Sequence, residues 1–100
     1  MPNIFVSYDL HNPGQNYQRV ADRIKTLGIH TRVQQSYWYL STSLSCEMVA
    51  QKIRDVMDNN DSLVVVDSTT NNAYWYNIDT KAEKLIQQQW NLAAPRVGLM

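Results

Sequence analysis

Residues 63–66, Leu-Val-Val-Val, are an unbroken apolar run between polar neighbours, Asp61 and Ser62 on one side and Asp67 and Ser68 on the other. A run this short and this rich in β-branched residues reads as a strand, and one apolar on both sides must be covered on both faces. Residues 3–10 carry a second such signal. Ile4, Val6 and Tyr8 alternate with Phe5, Ser7 and Asp9, so the first half of this segment is apolar on both sides and the strand belongs in the middle of a sheet.

Helical periodicity fills the intervals. Asn12 is suited to an N-cap, with Pro13 at the first helical position and Gln15 three residues after the cap. Tyr17, Val20, Ala21, Ile24 and Leu27 follow as one apolar stripe, and Gly28 is the expected stop. Arg19 and Arg23 stand one turn apart on the other, solvent-facing side. Residues 30–34 and 36–41 read as two short strands joined tightly. Ser45 caps a second helix with Glu47 in its first turn and Val49, Ile53, Val56 and Met57 as its stripe, and Asn59, Asn60 and Asp61 make the turn out of it.

The order strand, helix, strand, strand, helix, strand predicts an α+β domain, a ferredoxin-like βαββαβ sandwich with two helices on one face of a four-stranded antiparallel sheet in the order 4-1-3-2. Phe5, the aromatic run Tyr37, Trp38, Tyr39 and alternate valines of the last strand would then leave the other face apolar and bare. A second copy of the chain is the simplest cover, so a homodimer is expected. Residues 71–77, with three adjacent aromatics, read as a loop; Thr80 and Glu83 read as the capping box of an extra C-terminal helix over residues 80–91. Residues 1–91 are thus expected to form a single domain, with 92–100 a flexible tail.

Composition narrows the function classes. Nine basic and nine acidic side chains cancel, which argues against a broad positive field for nucleic acid. Cys46 is the sole cysteine, so neither an internal disulfide nor a zinc site of paired thiolates can form. No apolar run reaches membrane-spanning length, and the start has neither a basic n-region nor a signal-peptide core, so a cytoplasmic protein with no membrane partner is expected. Three glycines, no G-x-S-x-G elbow and no metal-ligand His/Cys spacing leave little room for a phosphate loop or a hydrolase nucleophile.

Tyr8-Asp9 closing the first strand, the Arg19-bearing helix ending at Gly28, and Arg32-Val33-Gln34-Gln35-Ser36 leading into an aromatic strand form a recognisable set. Over about residues 3–70 the chain resembles the small CRISPR-associated protein that partners the spacer integrase, and its relatives, the virulence-associated protein D group of endoribonucleases and SinR-like small proteins of bacteria and phages. The layout after residue 70 is closest to the SinR-like group. The resemblance implies a homodimer in which Asp9 of each subunit faces its mate across the two-fold axis. In some members such carboxylates bind Mg²⁺ or Mn²⁺ and support phosphodiester hydrolysis of RNA or DNA; in others the dimer is a scaffold for nucleic acid and a larger protein partner.

The residues themselves allow a test of that chemistry. A hard divalent cation working on phosphates takes one or two carboxylates and keeps several waters. Asp9 supplies one. In the expected sheet order Asp67 lies at the far end from Asp9 and Asp61 at the same end, although a turn position accounts for Asp61 without a ligand role. The second carboxylate then comes from the dimer mate. Ser7 shares the Asp9 face and can bond a water or phosphate, His11 follows closely as an acid or base, and Arg19, Arg23, Arg32 and Ser36 are the candidates for contact with nucleic acid. Against this nuclease reading stands a non-catalytic dimeric adaptor of the same fold, binding another protein through its aromatic loop and third helix.

Overall fold

The computed structural model describes residues 1–11 and 17–93. Five strands, β1 (Asn3–Asp9), β2 (Ile29–Gln34), β3 (Tyr37–Ser41), β4 (Ser62–Asp67) and β5 (Asn72–Tyr76), make one antiparallel sheet in the order β2-β3-β1-β4-β5. With α1 (Tyr17–Lys25), α2 (Cys46–Arg54) and α3 (Thr80–Ala93), the described residues form a mixed α+β fold. The first four strands take the order read from the sequence. The capping residues Asn12, Pro13 and Gln15 and most of the tail expected over 92–100 lie outside the described residues.

Alternation along the strands decides what is inside. Ile4, Val6 and Tyr8 of β1 sit opposite Leu40 and Trp38 of β3 and opposite Val65 and Leu63 of β4, and all are buried. Val20, Ala21 and Ile24 of α1 and Val49, Ala50 and Ile53 of α2 close over them in a single core, so both helices lie on this face. Ser45 caps α2 as expected, its hydroxyl accepting from the Met48 N–H at 3.2 Å. Trp38 does not share the bare face with Tyr37 and Tyr39, because strand alternation turns it opposite Val6 into the core, where its indole N–H donates to the Tyr8 hydroxyl at 3.0 Å.

The four-stranded expectation is corrected by β5. Residues 71–77 are not a loop: Asn72–Tyr76 pair with β4 in full register, Val64 opposite Trp75 and Leu63 opposite Tyr76. Three consecutive aromatics favour a pleated surface, and the hairpin is closed by Asp67, whose Oδ1 accepts from the Thr69 and Thr70 N–H groups at 2.9 and 3.2 Å. Asn71 supplies the left-handed residue of that turn, φ 60°. The β4–β5 pairing makes Asp67 a turn clamp, remote from Asp9 as anticipated.

Two helix ends also differ from expectation. The N-cap of α3 is Asp79, one residue earlier than read; its Oδ2 accepts from the Ala82 N–H at 3.1 Å and its carbonyl from the Glu83 N–H at 2.9 Å. Glu83 does not reach back to complete a capping box, because its carboxylate accepts the Trp75 indole N–H at 2.7 Å. At the other end of the chain α1 stops at Lys25 and tightens through bonds from Thr26 N–H to Arg23 and from Leu27 N–H to Ile24, 3.0 Å each. Gly28 therefore does not end the helix; it lets the chain pass the β3 backbone, where an added Cβ would lie 2.4 Å from the Ser41 carbonyl oxygen.

Two buried groups set an alkaline limit. Burial pushes the Cys46 thiol up from its ordinary 9.0, with the neighbouring Asp67 charge adding to it, and burial likewise pushes the Tyr8 hydroxyl up from 10.0 against the opposing Trp38 hydrogen bond. Raised acids stabilise the fold below their unfolded values, and that stability is lost as pH rises through the folded ones. Urea midpoints are accordingly expected to hold steady through neutrality and to fall above the ordinary thiol value, with Cys46→Ala removing the earlier part of the decline.

Candidate functional site

The side chains not used by the core define the other face of the sheet. Phe5 of β1 stacks on Tyr37 of β3 at 5.8 Å between centroids and tilts against Tyr39 at 5.5 Å, all three half-buried in a single chain. Val64 and Val66 share this face, as does Trp75. Here α3 is fastened to β5, through the Trp75–Glu83 bond and through the Trp90 indole N–H donating to the Asn71 carbonyl at 3.1 Å.

At one end of this face β1 finishes, β4 begins and the chain turns from β5 into α3. The three together enclose a cleft of about 410 Å³ lined by Ser7, Asp9, His11, Ser62, Asn77 and Asp79, among others. Ser7 and Asp9 point here because Val6 and Tyr8 take the core side, and the register sets Ser62 opposite Asp9 and Val64 opposite Ser7. Beneath the cleft, fully buried Asp61 accepts from the His11 and Asp58 N–H groups at 2.8 Å each, tying the end of β1 to the turn before β4. Asn77, with φ 59°, donates from Nδ2 to the Asn59 and Asp61 carbonyls at 2.6 and 2.9 Å and so pins the β5–α3 junction to the same turn. Asp61 is thus a fully used backbone clamp.

Asp9 is different: its carboxylate is exposed and forms no hydrogen bond or ion pair with a described residue. With Asp79 across the cleft, and no Lys or Arg among the described residues that line it, its side-chain charge is negative. Such a site attracts a cation and repels a bare phosphate. Among the described residues no group of three or more His, Cys, Asp or Glu is arranged to hold a metal, so one chain offers Asp9 and neighbouring oxygens and leaves the remaining positions to water or a second chain.

Of the residues picked out from the sequence, Ser7, Asp9 and His11 meet in this cleft and the others do not. Arg19 and Arg23 are on α1, beyond the opposite face of the sheet; Arg23 donates from Nη1 to the Lys52 carbonyl at 2.9 Å. Arg32 lies over the Trp38 ring at 4.7 Å, on the helix-covered face of β2. Ser36 occupies the β2–β3 turn, where its carbonyl accepts from the Tyr8 N–H at 3.1 Å. Ser62, Asn77 and Asp79 went unnoticed. Reading residues 72–76 as a strand would have carried the chain to Asp79 at the Asp9 end of the sheet, and Asp is a favoured cap. Compared with known proteins, the chain matches no family model and no curated sequence.

Proposed function

We infer that the chain works as a homodimer whose sheet face brings Asp9 from two copies together, where the paired carboxylates hold Mg²⁺ or Mn²⁺ and support hydrolysis of phosphodiesters in RNA or DNA. The observation that carries this reading is the Asp9 carboxylate: exposed, unengaged by any described residue, and on the same face as the stacked Phe5, Tyr37 and Tyr39. An aromatic layer of this kind favours burial against a copy of itself, and two-fold symmetry then doubles every carboxylate near it. The first six elements follow the ferredoxin-like order, which agrees with the resemblance to CRISPR-associated and virulence-associated D proteins over residues 3–70. A divalent cation held by Asp9 of both copies would lower the pKa of a water so that it loses its proton to solvent and serves as the nucleophile. In this reading Ser7 and Ser62, which line the same cleft, orient that water or a phosphate oxygen, and His11 gives a proton to the departing oxygen.

A second reading, a non-catalytic dimeric adaptor, draws on two facts. The arginines that would hold nucleic acid are on the far side of the sheet from Asp9, and Leu85 on α3 is 59% exposed, as a residue that meets a protein partner is. Asp9→Asn separates the two. In the nuclease, cleavage of RNA or DNA with Mg²⁺ or Mn²⁺ falls to background in the variant while light scattering still gives a dimer. A dimer with no cleavage before substitution leaves the adaptor, and cleavage that survives the substitution overturns the Asp9 nuclease. A monomeric mass at micromolar concentration overturns both.

A further inference from the structure

On the opposite, helix-covered side of the molecule a second cleft, of about 470 Å³, runs between the end of α1, the segment joining β3 to α2, and the last turn of α2. Its charged side chains are Arg23 and Lys52; no carboxylate lines it. Arg23 has a single anchor, the Nη1 bond to the Lys52 carbonyl, and neither its guanidinium nor the Lys52 ammonium pairs with an acid among the described residues. Asp22, in the adjoining groove, is engaged by Gln18 Nε2 at 2.7 Å. Both cations stand in last turns, where the helix dipole alone rewards a positive charge. The dipole does not account for the hydroxyls gathered beside them.

Three hydroxyls, those of Thr26, Thr42 and Ser43, line the same cleft. Thr26 is spent internally, its Oγ1 donating to the Arg23 carbonyl at 2.6 Å. Thr42 is not. It is 3% exposed, its oxygen accepts from the Leu44 N–H at 3.1 Å, and its own proton has no acceptor among the described residues. A hydroxyl carries one donor and two acceptor positions, and buried donors in folded proteins are almost always matched. An unmatched O–H beside two uncompensated cations and the exposed Ser43 hydroxyl lacks one thing, an oxyanion.

We propose that this cleft binds a phosphate group, held by Arg23 and Lys52 and by the hydroxyl protons of Thr42 and Ser43. Two cations match the dianion of a phosphomonoester, and charge-assisted bonds are the strong ones. Leu27 and Leu44 give the rest of the cleft an apolar lining, leaving room for what the phosphate is attached to. The site is separate from the Asp9 cleft, and its ligand is either a small phosphomonoester or a phosphate of a nucleic acid strand.

Calorimetric titration of the full chain with inorganic phosphate, adenosine 5′-monophosphate and a single-stranded RNA lacking terminal phosphates separates these sources. Saturable binding of either of the first two identifies the small ligand, and binding of the RNA alone identifies the strand. In each case Lys52→Gln is expected to weaken binding about tenfold or more, and Lys52→Arg to retain most of it. Thr42→Val is expected to weaken it where Thr42→Ser does not, with circular dichroism reporting that each variant is folded. Absence of saturable binding of all three probes up to about 1 mM, or equal binding by the parent and a folded Lys52→Gln, overturns the site.

Discussion

Asp61→Ala is expected to lower the unfolding free energy by about 3 kcal/mol, which for a chain of this length moves the thermal midpoint down by roughly 10–20 °C. The side chain is fully buried and its two oxygens accept from two backbone N–H groups far apart in sequence, that of His11, fifty residues before it, and that of Asp58, three before it. Truncation leaves both donors buried or half-buried without a partner and opens a polar void, each worth about 1–3 kcal/mol. Asp61→Asn is the informative companion. Its amide presents one acceptor oxygen and a donor nitrogen that would face an N–H, so it should recover part of the loss and not all of it. Differential scanning calorimetry of the two variants checks the order, parent above Asn above Ala. A midpoint unchanged in the Ala variant would mean that the clamp holds nothing. Because the same turn receives the Asn77 side chain, the Asp9 cleft should loosen along with the fold.

Gly28→Ala is expected to cost about 2–3 kcal/mol for a different reason, overpacking against backbone. The new methyl carbon would sit 2.4 Å from the Ser41 carbonyl oxygen and 3.1 Å from Thr42 Cβ, with no flexible side-chain end to yield. Either the α1–β2 turn or the end of β3 must move, and Ser41 is paired with Ile29 at that point. Urea unfolding measures the loss. Since the displaced Ser41 carbonyl leads directly into Thr42, whose Cβ is also in contact at 3.1 Å, the variant should also bind phosphate more weakly even when folded, whereas Asp61→Ala should not once its stability is allowed for.

These two positions show where the sequence could be read and where it could not. The central strands, both helical stripes and the Ser45 cap were legible because each is a periodic or local signal: Ile4, Val6 and Tyr8 repeat at two, and Val20, Ala21 and Ile24 recur at helical spacing. Asp9 and Ser7 were legible as neighbours because one strand's alternation fixes them. β5 was not, since Asn71 and Asn77 flank it with turn signals and its aromatic pattern has no polar alternation; the pairing with β4 decides it. Asp61 and Gly28 were assigned to the ordinary local roles of turn residue and helix stop. Their actual work is long-range, and no window of sequence contains both partners. The gathering of Arg23, Thr42 and Lys52 is of the same kind, for it depends on how the end of α1 meets α2 across the β3–α2 segment.

The two indole bonds that fasten α3 to β5 make the chain's fluorescence unusually easy to interpret. Of its three tryptophans, Trp38 is sealed in the core at 2% exposure, while Trp75 and Trp90 both sit on the α3 seam, half-buried, and both give their N–H to it. Emission that acrylamide quenches therefore comes from the seam, and emission that it spares comes from the interior. A partner or second subunit settling over the seam changes the first and leaves the second alone, so undocking of the helix can be told from unfolding of the sheet in a single cuvette.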